Sequence, residues 1–220
     1  MSKRIALIAA AILMMAGSSA QAQVFSYGAK LGMGFPGFMD EEIASQRITL
    51  ALGLTGGIRI IEGVNVITEL GYQRKGNKFT NEVWDSKGVV IEDSTYLVKT
   101  NLDYVTVPLL LRFNLGRTSK FYVQAGGYYG YLVHANFTGM RLGIPVKREP
   151  IRDALVLHDF GVIVGGGIET PIRPGLGVLL DVKYHFGLTD NNRDHLVIGN
   201  SKPMKNKGLV MSMGFYIDIE

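Results

Sequence analysis

Hydrophobic and polar residues alternate along most of the chain beyond residue 23. The alternation is clearest in two late segments, 175–188 and 207–220. In the first, every second residue from Leu176 to Leu188 is apolar, and the residues between them include Asp181 and two glycines. A period of two residues indicates a β-strand whose two faces differ. One face of each strand is therefore hydrocarbon, and the other carries charges and glycines.

The same pattern predicts eight strands. Their spans are 24–35, 48–60, 64–78, 99–115, 120–138, 157–170, 175–188 and 207–220. Several of them exceed the length of about five or six residues that is usual in soluble sheets. They reach the roughly 9–11 residues that a tilted strand needs to cross a bilayer.

The connections between these strands alternate in length. Short turns are predicted at 61–63, 116–119 and 171–174, and long segments at 36–47, 79–98, 139–156 and 189–206. An up-and-down barrel places all short turns at one end and all long loops at the other. We therefore predict an all-β fold, an eight-stranded antiparallel up-and-down transmembrane β-barrel with short periplasmic turns and long extracellular loops.

The charged face of the strands decides which side of the barrel points outward. Its charged members are Lys30, Arg59, Glu69, Arg112, Asp159, Glu169, Asp181 and Lys183. Many glycines lie among them, and glycine weakens a strand that faces water. In a narrow lumen the same glycines leave room for long side chains, and an eight-stranded barrel is only wide enough for side chains to fill it. We predict a packed lumen charge network of both signs inside the barrel, rather than an open pore.

Aromatic residues of the apolar face concentrate near the strand ends. Those near the predicted loops are Phe35, Tyr72, Tyr129, Tyr131, Phe160, Tyr184 and Phe186, and those near the turns are Phe25, Phe113 and Phe121. Two such levels resemble the aromatic girdles of membrane barrels, although aromatics are also common in strands generally. Membrane lipid is therefore an expected partner.

The first 22 residues do not show the alternating pattern of the strands. Lys3 and Arg4 precede an apolar run, 5–16, and an A-x-A sequence ends at Ala22. These are the parts of a secretory signal peptide. The alternative, an anchor helix, would need roughly 20 apolar residues. We expect a signal peptide at 1–22 and a barrel domain at 23–220.

The composition of the chain excludes several kinds of binding site. The chain has 220 residues, which suits one domain, and no cysteine, which excludes disulfides and thiolate metal sites. The formal charge of +4 is too small to indicate a nucleic-acid partner. Gly32–Gly37 spells G-x-G-x-x-G, but a dinucleotide site needs a helix directly afterwards, and Pro36 with Gly37 predicts a turn.

The histidines give no catalytic motif. Rim candidates are His134, His158, Asp159, Asp190, Asp194 and His195, and the fourth histidine is His185. A hydrolase needs a nucleophile or activated water, a base and an orienting acid in contact, and no spacing here predicts such a set. We assign no catalytic, cofactor-binding or metal residues, expect no cofactor, and expect that the protein is not an enzyme.

The long segments differ in charge. Segments 36–47 and 79–98 are mainly acidic, whereas 139–156 and 189–206 have a basic excess. One hypothesis is that the two acidic loops contact the two basic loops. The alternative is that all four loops are solvated. A protein or small-molecule ligand at these extracellular loops is a further possible partner.

Several segments resemble one family. Tyr104–Phe113 reads Y-x-x-x-P-L-L-L-R-F, 71–76 reads G-Y-x-x-K-G, and 121–132 ends in G-Y-L. These resemble the small outer-membrane β-barrel family common in Bacteroidetes, often labelled porin-like or PorT-like. The resemblance covers nearly all of the mature chain and implies a barrel in the outer membrane. It implies little about activity. The last six residues, 215–220, depart from the terminal aromatic of many outer-membrane proteins.

The function predicted from sequence is a structural or surface-interaction role through the long loops. Three alternatives stay open: a small-solute porin or channel, a rim-located outer-membrane hydrolase or acyltransferase, and a soluble secreted barrel. The ligand, the oligomeric state and the physiological role are not determined by the sequence.

Overall fold

The computed structural model describes residues 25–39, 48–76, 78–81, 96–116, 120–141, 144–191 and 204–219. These ranges contain ten strands and a single 3-10 turn, Arg152–Ala154. The strands are β1 Phe25–Phe38, β2 Thr49–Ile61, β3 Val64–Lys75, β4 Lys78–Asn81, β5 Tyr96–Leu115, β6 Lys120–Arg141, β7 Ile144–Pro150, β8 His158–Arg173, β9 Leu176–Gly187 and β10 Asn206–Ile219. Within the same ranges, no helix is long and apolar enough to cross a membrane.

Eight of the strands close into a barrel. Their antiparallel order is β5-β3-β2-β1-β10-β9-β8-β6, and pairing of β5 with β6 closes the ring. β4 lies beyond β3 along the same edge of β5, and β7 lies beyond β8 along the same edge of β6. The predicted eight-stranded antiparallel up-and-down barrel is confirmed. Closure leaves no strand edge of the barrel unpaired, as a bilayer requires.

Several predicted boundaries are wrong. β1 continues through Pro36 and Gly37, where a turn was expected, because beyond Gly34 it pairs only with β10 and the missing proline N–H costs no bond to β2. β4 continues from Lys78 into the expected loop 79–98, β7 lies within the expected loop 139–156, and both extend the ladder past the barrel. The third short turn is Pro174–Gly175 rather than 171–174.

The apolar face of the strands points outward. On β9, Leu180 is 55% exposed, whereas its neighbour Asp181 is 1% exposed. The same alternation runs along the strand, with Val178 and Val182 exposed and Lys183 buried. A soluble barrel would present the opposite arrangement, so the surface is suited to lipid.

Glycines on the inward face of β8 accept tyrosine rings from β6. A Cβ atom at Gly161 would collide with the ring of Tyr128, and one at Gly167 would lie 2.6 Å from the ring of Tyr122. Each ring therefore lies flat against a strand without side chains at that position. The packed lumen depends on these close approaches.

Apolar side chains close the lumen at its loop end. This group, here called the apolar cap, comprises Phe38, Leu102, Tyr104, Leu132, Ala135, Leu155 and Met204. Leu155 follows the 3-10 turn and is 1% exposed. Its segment is held by hydrogen bonds from Leu132 N to Leu157 O (2.8 Å) and from Val156 N to Asn191 O (3.0 Å). The segment before β8 thus bends into the barrel mouth.

Candidate functional site

Four of the predicted lumen residues form one central cluster. The Lys30 ammonium contacts Glu69 and lies 2.9 Å from Asp181 Oδ2. The Lys183 ammonium lies 2.6 Å from Glu69 Oε2 and 3.5 Å from Asp181 Oδ2. Two lysines and two carboxylates therefore alternate around the lumen. All four side chains are buried.

A second, turn-side cluster lies next to the first. Arg112 pairs with Glu169 and donates to Gln124 Oε1 from Nε (3.2 Å) and Nη2 (3.1 Å). Its guanidinium carbon lies 4.0 Å from the centre of the Tyr122 ring. Gln124 in turn donates to Asp181 Oδ1 at 2.9 Å. One amide side chain thus links the two clusters.

A third, loop-side cluster surrounds Asp159. Its Oδ2 atom lies 2.8 Å from the Lys75 ammonium and accepts hydrogen bonds from Tyr128 OH (3.2 Å) and Asn206 Nδ2 (3.0 Å). Lys75 also lies 4.5 Å from the centre of the Tyr128 ring and 4.9 Å from that of Tyr104. The Tyr104 ring belongs to the apolar cap, so this cluster joins the ionic lumen to its loop end.

The structure places seven of the eight predicted network residues in these three clusters, together with Lys75, which is not among the predicted residues. The signal for Lys75 was available, because Glu69 and Lys75 are an even number of residues apart on β3 and face the same side. With Lys75 included, the clusters contain four cations and four carboxylates. This balance matters because an uncompensated charge in a low-dielectric interior is costly.

Arg59 lies at the turn end, where it lines the same cavity as Arg112 and Glu169 of the turn-side cluster. It is half-buried and shares this cavity of about 30 Å³ with Lys120 and Asp218 as well. No ion pair joins it to another residue in the described part of the chain. A cavity of this size holds a water molecule and excludes solutes of metabolite size.

The three histidines that the structure describes make separate contacts. His134 Nε2 lies 2.9 Å from Asn136 Nδ2, and His158 Nδ1 lies 2.8 Å from Tyr129 OH. His185 is buried in the lumen against the Tyr128 ring, with centroids 5.6 Å apart. Hydrolysis of this type requires one imidazole to contact a nucleophile through one nitrogen and an acid through the other. None of these three histidine contacts has that arrangement.

The structure argues against the nucleotide and metal sites considered from the sequence, and the remaining candidates lie outside the described residues. Gly32–Gly37 is continuous strand, so no helix N-terminus follows it to hold a phosphate. Within the described ranges, no group of three His, Asp or Glu side chains could hold a metal ion. The signal peptide 1–22, Asp194 and His195 lie outside those ranges, as do segments 40–47 and 82–95, which contain every charge of the two acidic loops in the loop-pairing hypothesis.

The outward aromatics expected at the loop level cluster in two places. Tyr129 and Phe160 have ring centroids 5.3 Å apart, and Tyr184 and Phe186 have theirs 4.4 Å apart. At the turn level Phe121 is 61% exposed. Both groups lie on the lipid-facing side of the barrel wall.

Comparisons with known proteins agree with this geometry. A family model described as outer membrane protein beta-barrel domain matches residues 20–193. Neisserial surface protein A is 12% identical, with 89% of this chain and 97% of that chain covered and a TM-score of 0.51. A major outer membrane protein from Thermus thermophilus is also 12% identical, with 89% and 99% covered and a TM-score of 0.53. Among curated proteins, no sequence matches the chain. At these identities the structural likeness concerns the fold.

Proposed function

Because the chain belongs to the outer membrane protein β-barrel domain family, we propose that it is a closed structural barrel that acts at the cell surface through its loop end. The protein lies in the outer membrane, with lipid around its apolar face. The single observation that carries the proposal is the filled lumen. Three ionic clusters and an apolar cap lie across the path that a solute would take.

A channel would require these side chains to separate. The central cluster joins β1, β3 and β9 across the lumen, and each ammonium contacts two carboxylates. Breaking a buried pair leaves an uncompensated charge, at a cost of about 3–5 kcal/mol. The closed state is therefore strongly favoured, which supports a structural role over a small-solute porin.

Planar-bilayer recording tests the closed lumen. We expect no discrete conductance steps from the wild-type protein. A variant in which Lys30, Glu69, Asp181 and Lys183 are all replaced by Ser removes two cations and two carboxylates, stays neutral and opens the centre, so we expect steps from it. Arg59→Ser is the control, because Arg59 forms no ion pair with any of the four replaced residues. Reproducible steps from the wild type would establish the porin instead.

Surface exposure of the loop end is tested on intact cells. Trypsin is expected to cut within 82–95, which contains Lys87, and to leave Lys120 at the turn end uncut. Cutting at Lys120 alone would reverse the proposed orientation. The absence of catalysis is part of the same proposal, and it is supported by histidines whose hydrogen-bond partners are Asn136 and Tyr129.

Two finer assignments rest on sequence. We propose that residues 1–22 are a cleaved signal peptide, for which N-terminal sequencing of the mature protein should begin at Gln23. We also propose that the chain belongs to the PorT-like branch common in Bacteroidetes, on the motif Tyr104–Phe113. Assembly in the outer membrane of a Bacteroidetes host, with its natural C-terminus, is the expected result; failure to assemble there would count against the branch.

A further inference from the structure

The segment before β8 crosses the edge of the barrel wall. Leu155 points into the apolar cap, whereas Arg152 lies on the outer side. Arg152 Nε donates to the carbonyl of Leu132 (3.2 Å), and Nη2 donates to Tyr131 OH (3.1 Å). Two hydrogen bonds therefore hold the guanidinium against the outward face of β6.

The side chains around this guanidinium are polar-tipped and aromatic. His158 is exposed, and its ring lies 5.6 Å from that of Tyr131 and 5.9 Å from that of Tyr129. The Tyr129 hydroxyl engages His158 Nδ1 and leaves Nε2 unused by that contact. Below them Phe160 is 54% exposed. The Arg152 cation and the His158 imidazole thus lie above the exposed apolar ring of Phe160.

Arg152 differs from the other arginine on this outer surface. Arg74 is neutralised by Asp103 through two contacts, Nε to Oδ1 (2.5 Å) and Nη2 to Oδ2 (3.0 Å). Among the side chains that the structure describes, Arg152 forms no ion pair with a carboxylate, and its neighbour Asp153 is exposed. The Arg74 guanidinium is paired with a carboxylate, whereas the described contacts of the Arg152 guanidinium are to a carbonyl and a hydroxyl.

The height of Arg152 in the membrane follows from β6. Phe121 and Tyr131 lie ten residues apart on this strand and both face outward. With roughly 3.3 Å per residue and a tilt of about 40°, they are separated by roughly 25 Å along the barrel axis. The apolar band of a membrane barrel is about 25 Å tall. Tyr131 and Arg152 therefore lie at the headgroup level of the outer leaflet when Phe121 lies at the inner boundary.

We propose that Arg152, with Tyr131 and His158, binds the phosphate group of an outer-leaflet lipid. A guanidinium fork fits two phosphate oxygens, and its charge complements theirs. Tyr131 orients the guanidinium, and His158, whose ring lies next to that of Tyr131, supplies its Nε2 atom. The acyl chains of the same lipid would descend over Phe160 and Val162, which are exposed directly below. This apolar surface is the reason for assigning a lipid rather than a free phosphate ion.

Lipid binding to the purified full-length barrel tests the site. Native mass spectrometry in a non-ionic detergent would compare phosphatidic acid, phosphatidylcholine and inorganic phosphate as probes. The variants are Arg152→Gln and the matched control Arg74→Gln. We expect the wild type to prefer phosphatidic acid, Arg152→Gln to bind it about tenfold more weakly, and Arg74→Gln to bind within about twofold of the wild type.

Each outcome decides the proposal. Equal binding by Arg152→Gln and the wild type would overturn it, as would an equal loss in both variants. Tight binding of inorganic phosphate that competes with the lipid would overturn the lipid assignment. If Arg152→Gln does not fold, Tyr131→Phe gives the same test, because it removes the hydroxyl that holds the guanidinium and leaves the charge. Loss of binding in Tyr131→Phe supports the site, and unchanged binding contradicts it.

Discussion

Each charged residue in the lumen is stabilised mainly by the opposite charges that it contacts. Glu69 accepts from both Lys30 and Lys183, so one carboxylate on β3 compensates two ammonium groups that come from β1 and β9. Asp181 is the other acceptor that they share. A buried ion without its partner has lost its hydration, and no attraction to an opposite charge offsets that loss. The identity of each charged residue therefore matters more here than at the loop ends.

Glu69→Gln should destabilise the barrel strongly. The substitution preserves the shape of the side chain but leaves Lys30 and Lys183 with Asp181 alone. We expect the free energy of unfolding to fall by about 3–5 kcal/mol, measured by denaturant unfolding in lipid vesicles. Glu62→Gln, at an exposed position in the turn between β2 and β3, is the control and should change it by less than about 0.5 kcal/mol. Equal stability of the two variants would show that the central cluster is dispensable.

Neighbouring strands set how the lumen is filled. β6 supplies the Tyr122 and Tyr128 rings, and β8 supplies glycines where those rings lie. The outward glycine Gly127 has no such neighbour, because a Cβ atom there would come no closer than 3.7 Å to the carbonyl of Gly161. The inward glycines are therefore part of the packing between two elements.

Gly161→Ala and Gly127→Ala form a matched pair. At Gly161 the added methyl collides with the Tyr128 ring and the Phe186 carbonyl, so we expect a loss of about 1–3 kcal/mol in unfolding free energy. Gly127→Ala should be nearly neutral. The measurement is the same unfolding experiment, with Tyr fluorescence reporting on the displaced ring. A neutral Gly161→Ala would mean that Tyr128 has room to move.

The whole molecule is a closed ring of hydrogen bonds with an apolar exterior. β5 and β6 complete the ring through an uninterrupted run of paired residues, apart from a bulge between Asp103 and Tyr104. Closure makes the barrel cooperative, since one strand cannot leave without breaking two ladders. The apolar exterior also makes detergent a good solvent for the folded state.

Heat modifiability should follow from this closure. We expect the protein, extracted from the outer membrane, to migrate on a denaturing gel at a different apparent mass before and after boiling. Protein denatured in advance with urea is the control, and it should run at the boiled position without heating. Identical mobility of unboiled and boiled samples would contradict a closed, detergent-resistant barrel.

Strand number, face and location were predictable because each depends on local pattern. A period of two residues separates the faces of every strand, and the alternation of short and long connections orients the barrel. Seven lumen residues follow from that parity alone. Lys75 was missed because it lies at the end of β3, close to a predicted loop. The apolar cap was missed because Leu155 and Met204 lie in segments without strand periodicity.

The amino-acid sequence by itself determined that this chain forms an up-and-down barrel with hydrocarbon outside and charge inside, since both properties follow from side chains within a few residues of one another. Only the tertiary structure decided which charges meet. Lys183 reaches Glu69 from a position 114 residues away, and Lys30 reaches Asp181 from 151 residues away. These pairs exist because closure of the ring places β1, β3 and β9 around one narrow lumen. The same closure places Arg152 on the outer side of the wall, held by Leu132 and Tyr131 rather than by the lumen carboxylates.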